Sequence, residues 1–272
     1  MTPAAPSPVG DLLSRCRDVL AREPAGLLCD IDGTLSEIAP TPDAAVVSPA
    51  MRASLRRLLG QLALVAAVSG RTTASASRMV GIPDLLYIGN HGMERLEGGV
   101  WSPHPLAAGA EERVAAALAE VEAALAGHAG GWLLVEHKGL TGTVHYRLAP
   151  DHAAARALVQ PAVAAAAARH GLKVTEGRAI LELRPPVRVD KGTAVAGLIR
   201  ERGLRGAIFL GDDVTDIDAF DALRAARERD GVATLSIAVL GPETPERVAA
   251  AADAAVDGVP GVAMLLSMLA GG

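Results

Sequence analysis

A short apolar run that ends in two acids constrains this chain most. Residues 28–36 read Leu-Cys-Asp-Ile-Asp-Gly-Thr-Leu-Ser, and the run Ala25 to Cys29 is bounded by Pro24 and followed by Gly33. A run of that length between chain breakers reads as a buried parallel strand. In open α/β sheets the carboxyl ends of the strands face the crevice that binds ligands. Asp30 and Asp32 are therefore placed where a ligand would sit. Two buried carboxylates are costly unless a cation or hydrogen-bond donors meet them. The pair implies a metal, a proton-transfer role, or both.

The alternation continues on either side. Apolar spacing predicts a helix over 9–22, a strand over 25–30 and a helix opened by Ser48-Pro49 and closing near Leu59. A strand over 62–68 ends in Ser69-Gly70-Arg71, and a helix over 72–80 and a strand over 84–88 follow. After residue 190 the pattern returns: helix 191–202, strand 206–210, then Gly211-Asp212-Asp213, helix 215–227, strand 232–240 and helix 260–270. Alternating βα units argue for an α/β fold with a doubly wound, Rossmann-like parallel sheet. The alanine-rich stretches, Ala162 to Ala168 and Ala249 to Ala255, read as helix filler.

The middle of the chain differs. Helix 110–126, strands 132–138 and 142–148, helix 152–169 and strands 172–176 and 179–184 give an αββαββ pattern. It reads as an inserted cap domain over 106–186, within a core formed by 1–105 and 187–272. Its strands alternate with period two. Glu136 and Lys138 share a face, as do Thr143, His145 and Arg147, and Glu182 with Arg184. The result is one apolar face for the helices and one mixed-charge face suited to sugar hydroxyls.

Composition narrows the function. The chain has 272 residues, half of them apolar, which excludes a disordered chain and suits one large or two modest domains. With a net charge of -5 and 2% aromatic residues there is no electrostatic or stacking signal for nucleic acid, and no run is long and apolar enough to span a bilayer. The first ten residues lack the charge and apolar pattern of a secretory signal. Two cysteines, Cys16 and Cys29, offer no disulfide framework, and a reduced, cytoplasmic setting is expected. Lys138, Lys173 and Lys191 are the only lysines, so a lysine at a strand–helix junction draws notice. Nothing in the sequence signals an oligomeric state.

Together Asp30, Asp32, Ser69, Lys191, Asp212, Asp213 and Asp216 suit phosphoryl transfer. A carboxylate nucleophile can form an acyl phosphate, for which Asp30 is the candidate. A second carboxylate, Asp32, would protonate the leaving oxygen and later deprotonate water. A phosphate dianion beside carboxylates needs a cation, and Mg²⁺ takes oxygen ligands such as Asp30, the Asp32 carbonyl and Asp212. Ser69 could donate to phosphoryl oxygens from the Ser69-Gly70-Arg71 turn, and Lys191 would neutralise transition-state charge.

Asp-Ile-Asp-Gly-Thr-Leu, Ser69, Lys191 and Gly211-Asp212-Asp213-Val214-Thr215-Asp216 resemble the four motifs of the haloacid dehalogenase superfamily of phosphatases. The closer resemblance, over roughly residues 25 to 260, is to trehalose-6-phosphate phosphatases. Gly89-Asn90-His91-Gly92-Met93-Glu94 resembles that family's Gly-x-His-Gly-x-Glu. Glu136-His137-Lys138 with His145-Tyr146-Arg147, and Glu176-Gly177-Arg178 with Glu182-Leu183-Arg184-Pro185, resemble its cap segments. The resemblance implies Asp30 as nucleophile, Asp32 as acid/base, and Mg²⁺ on Asp30, Asp32 and Asp212, with Asp213 and Asp216 in support. It implies phosphate binding by Ser69, Gly70, Arg71 and Lys191. Sugar binding falls to His91, Glu94, Glu136, Lys138, His145, Arg147, Arg178 and Glu182. Arg178 stands where the family usually has Lys, which alters reach and donor geometry. The implied reaction is Mg²⁺-dependent hydrolysis of trehalose 6-phosphate, functionally paired with a trehalose-phosphate synthase. The alternative is another sugar or polyol phosphate, such as sucrose 6-phosphate or glucosylglycerol phosphate. The Pro-containing linkers 103–109 and 185–189 are the expected hinges of a closing cap.

Overall fold

The computed structural model describes residues 9–39, 44–127, 131–177, 179–242 and 244–271, so Arg178 lies outside the described residues. By contact density the chain divides into one unit of residues 1–102 and 189–272 and a second of residues 103–188.

The first unit begins with α1 (Val9–Leu20), β1 (Ala25–Cys29), α2 (Pro49–Leu59), β2 (Leu64–Val68), α3 (Thr73–Val80) and β3 (Leu86–Gly89). Two short strands follow, β4 (Glu94–Glu97) and β5 (Val100–Pro103). After the second unit the chain returns with α6 (Lys191–Glu201), β10 (Gly206–Gly211), α7 (Asp216–Asp230), β11 (Ala233–Leu240), α8 (Glu246–Ala251), β12 (Ala254–Asp257) and α9 (Gly258–Leu269). The eight strands form one sheet ordered β12-β11-β10-β1-β2-β3-β4-β5. The six from β12 to β3 run parallel, and β4 pairs antiparallel with β3.

Strands β1, β2 and β10 are apolar and buried throughout because both of their faces are covered. Leu27 and Cys29 point into a core shared with α1, α2 and α9, while Leu28 points into a second core with α6 and α7. A strand sandwiched between helix layers has no solvent face, so it loses the apolar–polar alternation of a half-buried strand. This is the doubly wound sheet expected from the βα alternation.

Two parts of this sheet were not foreseen. The β4–β5 hairpin turns at Gly98-Gly99, both at positive φ (56° and 78°), a conformation that favours glycine. Its short runs carry little apolar pattern. The second is β12, which lies at the end of a stretch expected to be helix filler. Asp253 turns the chain there: its carboxylate accepts from the Ser236 N–H at 3.0 Å and the Ser236 hydroxyl at 2.9 Å. Pairing of β12 with β11, from Ile237 opposite Ala254 to Leu240 opposite Asp257, overrides the helical preference of alanine.

The second unit holds α4 (Ala110–Leu125), β6 (Leu134–His137), β7 (Gly142–His145), α5 (His152–Arg169), β8 (Lys173–Gly177) and β9 (Ile180–Arg184). Its sheet is antiparallel, in the order β6-β7-β9-β8. Val144, Leu181 and Leu183 pack with Val114, Leu118 and Val121 of α4 and Val159 and Val163 of α5. The αββαββ order matches the sequence pattern. Its outer boundaries fall at 103 and 188, a few residues outside the 106–186 expected. Among the described residues no helix is long and apolar enough to cross a membrane.

Candidate active site

Register brings the first acids together. Cys29 of β1 lies opposite Leu210 of β10, and the Asp30 N–H continues the ladder to the Leu210 carbonyl at 2.9 Å. Asp30 and Asp212 therefore leave adjacent parallel strands side by side. Asp30, Asp212 and Asp216 are buried, with carboxylate oxygens all within 4.8 Å of one another. Gly33 makes this packing possible. It has φ +81°, and a Cβ there would lie 2.1 Å from Asp212 Oδ2. Thr34, part of the Asp-Ile-Asp-Gly-Thr-Leu motif but given no role from the sequence, donates from its hydroxyl to Asp212 Oδ1 at 3.2 Å.

Lys191 meets the cluster from the start of α6. Asp190 caps this helix reciprocally: its carboxylate accepts from the Thr193 N–H at 2.7 Å, while Thr193 Oγ1 accepts from the Asp190 N–H at 2.9 Å. The cap fixes Lys191 as the first helical residue. At Gly192 a Cβ would lie 2.4 Å from the Asp218 carbonyl of α7, so only glycine lets the two helices approach this closely. The Lys191 ammonium is buried, 2.7 Å from Asp216 Oδ1 and 3.0 Å from Asp30 Oδ1. Asp216 Oδ2 also accepts from the N–H groups of Asp212 and Asp213, both at 3.0 Å. Asp216 is thus a pedestal that shapes the Gly211–Asp213 turn.

The electrostatics of this group are unbalanced. Burial raises the Asp30 carboxyl well above the carboxylate range, Lys191 opposes that, and Asp216 and Asp212 add to it. Asp212 is pushed up to about 7 by burial and by Asp216, against the pull of Lys191 and Thr34. Burial would lower the Lys191 pKa, but Asp216 and Asp30 hold it above its ordinary value. Three carboxylates face one ammonium in a low-dielectric site. A divalent cation with hard oxygen ligands fits this donor set, since its charge would let all three acids ionise. Asp30 and Asp212 could hold it, with Asp216 already committed to Lys191 and the turn.

The Asp32 side chain has a different partner. The residue falls in the turn after β1, and its carboxylate forms a two-pronged ion pair with Arg71, at 2.6 Å from Nε to Oδ2 and 2.6 Å from Nη2 to Oδ1. Its side chain is not part of the Asp30–Asp212–Asp216 group, which leaves the backbone carbonyl as the atom that Asp32 could offer a cation. The Arg71 guanidinium, expected on phosphate, meets the Asp32 carboxylate. Asp213 is exposed and outside the cluster. Ser69 is buried at the end of β2, where its Oγ accepts from the Arg71 N–H at 3.2 Å. The His91 ring lies over Gly70, where a Cβ would sit 2.6 Å from it.

Both Glu94 carboxylate oxygens are engaged within the protein. The residue is buried, with one oxygen accepting from the Thr73 N–H at the start of α3 and the other from the Trp101 indole at 3.0 Å. Expected on sugar, it anchors the helix that follows the Ser69–Arg71 loop. Trp101, in the unforeseen β5, is the missing partner that turns it inward.

On the second unit's sheet, register aligns Glu136, Thr143, Glu182 and Thr175 in one row across the four strands. His145 Nε2 lies 3.0 Å and Lys138 Nζ 3.6 Å from Glu136 Oε2. The hydrogen bond from His145 holds the Glu136 carboxyl below its ordinary range, against the effect of burial. Thr175 donates to Glu182 at 3.4 Å. The Thr143 hydroxyl is buried and has no hydrogen-bond partner among the described residues. Arg147, expected on this face, lies beyond the strand. Strand β7 ends at His145, and Arg147 lies exposed in the next turn, with its carbonyl 3.0 Å from His152 Nε2.

Comparison with known proteins fits this geometry. The family model described as trehalose-phosphatase matches residues 28–253. A trehalose-phosphate phosphatase of Mycobacterium tuberculosis is 36% identical over 243 residues, 85% of this chain and 61% of the relative. One of Mycobacterium marinum is 38% identical over 233 residues, 81% of this chain and 58% of the relative. The chain thus spans about three fifths of the length of these curated relatives. Among solved structures, the C-terminal domain of Candida albicans trehalose-6-phosphate phosphatase superimposes with a TM-score of 0.76 at 24% identity, covering 100% of this chain and 98% of that one. That likeness shows a shared fold.

Proposed function

Because this chain belongs to the trehalose-phosphatase family, we propose that it hydrolyses trehalose 6-phosphate to trehalose and inorganic phosphate. The observation that carries the reading is the meeting of Asp30, Asp212, Asp216 and Lys191 at the ends of neighbouring parallel strands. Asp30 is the nucleophile. One of its oxygens bonds to phosphorus as the bond from phosphorus to the sugar oxygen breaks, and Asp32 supplies that oxygen with a proton. Water then attacks the aspartyl phosphate. Its oxygen bonds to phosphorus, the bond to Asp30 breaks, and Asp32 takes the water's proton.

Lys191 carries a fixed positive charge against the phosphoryl oxygens in both steps, and the Ser69 hydroxyl donates to them. Asp30, Asp212 and the Asp32 carbonyl would hold Mg²⁺, whose charge would neutralise the phosphate dianion. Glu136, Lys138, His145 and Glu182 of the second unit bind the sugar hydroxyls, with Arg178 and His91 assigned to the same task by family resemblance. A trehalose-phosphate synthase supplies the substrate. Cys16 and Cys29 are free, buried thiols, in keeping with a reducing cytoplasm.

The test is phosphate release from a panel of sugar phosphates, with Mg²⁺ and with EDTA. Strong preference for trehalose 6-phosphate, lost in EDTA, is the expected result. Comparable efficiency on sucrose 6-phosphate or glucosylglycerol phosphate would sink the substrate and keep the chemistry. Full activity in EDTA would overturn the metal.

A further inference from the structure

We propose that Arg71 is a positioning residue for Asp32 and does not act by binding the substrate phosphate. The inference rests on the aspartyl-phosphate reading above. The Arg71 fork meets both Asp32 oxygens at 2.6 Å. Two parallel bonds fix the plane of the carboxylate as well as its distance, which a single contact does not.

The fork stands on a rigid base. The Arg71 N–H donates to Ser69 Oγ at 3.2 Å, and its carbonyl accepts from the Asn90 N–H at 2.8 Å. The Arg71 side chain is 13% exposed. Asp32 is different. It sits beyond the strand, in a turn closed by the Gly33 N–H to the Ser36 carbonyl at 2.7 Å, and its side chain is 36% exposed. A half-exposed aspartate in a turn has several rotamers open to it. Arg71 selects one.

A proton carrier works only within hydrogen-bond reach of the oxygen that it serves. The step most sensitive to this is hydrolysis of the aspartyl phosphate. There the water oxygen bonds to phosphorus, the phosphorus–Asp30 bond breaks and the water proton passes to Asp32. Water is a poor nucleophile without its base. An aryl phosphate with a good leaving group needs no proton donor in the first step. Loss of Arg71 therefore slows the second step selectively, and phosphorylated enzyme accumulates.

The test uses 4-nitrophenyl phosphate with Mg²⁺, rapid quench and mass detection of phosphate on Asp30, in wild type and in Arg71→Gln, Arg71→Lys and Asp32→Asn. The Arg71→Gln variant is expected to show a nitrophenolate burst, a kcat lower by roughly ten- to a hundred-fold and a larger phosphorylated fraction, with KM changed less than about two-fold. Arg71→Lys is not expected to restore kcat, because Lys keeps the charge and loses the fork. The double variant Arg71→Gln/Asp32→Asn is expected to be no slower than Asp32→Asn alone, since Arg71 acts through Asp32. A raised KM without a burst, rescue by Lys, or multiplied losses in the double variant would each overturn the proposal and return Arg71 to the phosphate. Wild type that turns over without phosphate on Asp30 would overturn the mechanism itself, and is seen without any Arg71 variant.

Discussion

Lys191 donates from Nζ to Asp216 Oδ1 at 2.7 Å, across 25 residues of sequence and between two helix N-termini. Asp216 in turn shapes the backbone that presents Asp212. A single carboxylate thus orients both the one ammonium in the site and one of the acids that it offsets. Removing either partner of such a buried pair leaves the other charge uncompensated.

Replacing Lys191 by Met leaves Asp30, Asp212 and Asp216 facing one another without a cation. We expect a loss of about 3–5 kcal/mol, measured by urea unfolding in EDTA at pH 8. The loss is smaller at pH 5, where protonation relieves the repulsion. An equal loss at both values would mean that the three acids are not in one another's field.

Replacing Asp30 by Asn removes the nucleophile and keeps the shape. Turnover falls by roughly a thousand-fold or more, while the circular dichroism spectrum stays that of wild type. The thermal midpoint is equal or higher, because one of three crowded carboxylates has gone. Normal turnover in a folded Asp30→Asn protein would refute the assignment.

Glu94→Gln separates an anchor from a sugar ligand. The amide keeps an acceptor for only one of the two donors, Thr73 N–H and the Trp101 indole. Stability falls by about 1–3 kcal/mol in chemical denaturation. Activity on trehalose 6-phosphate and on 4-nitrophenyl phosphate falls in the same proportion. A defect confined to trehalose 6-phosphate, at unchanged stability, would restore the sugar-binding role.

Asp253 gives the clearest acid dependence away from the site. Burial would raise its pKa, but the Arg227 guanidinium and the N–H and hydroxyl of Ser236 hold it below the usual range. A lowered folded pKa means that the unfolded chain binds the proton more readily. The stabilisation is complete above the unfolded value, about 4, and is lost as pH falls through the folded value. Asp253→Asn should lower the urea midpoint at pH 7, and the gap to wild type should close below about pH 4. A gap that persists in acid would show that the charge is not what stabilises this turn.

Much of the fold was written in local pattern. The apolar runs at 25–29, 64–68 and 206–211 became adjacent parallel strands, because a strand covered on both faces has little use for polar residues. The acids at 30 and 212 met because the ends of adjacent parallel strands lie together in register. The short strands β4, β5 and β12 escaped notice because pairing with a neighbour, not composition, makes them strands.

The side-chain partnerships were decided in three dimensions. Asp32 and Arg71 are 39 residues apart, and nothing in either segment reveals that their charges meet. Glu94 turned inward because Trp101, on a strand absent from the sequence pattern, supplied a donor. Arg147 lies beyond the sheet because β7 stops at His145, three residues short of the expected end at 148. Periodicity tells which residues are buried and which strand ends they reach, since each depends on near neighbours in the chain. The partner of a charge depends on distant residues, and only packing brings those within hydrogen-bond range.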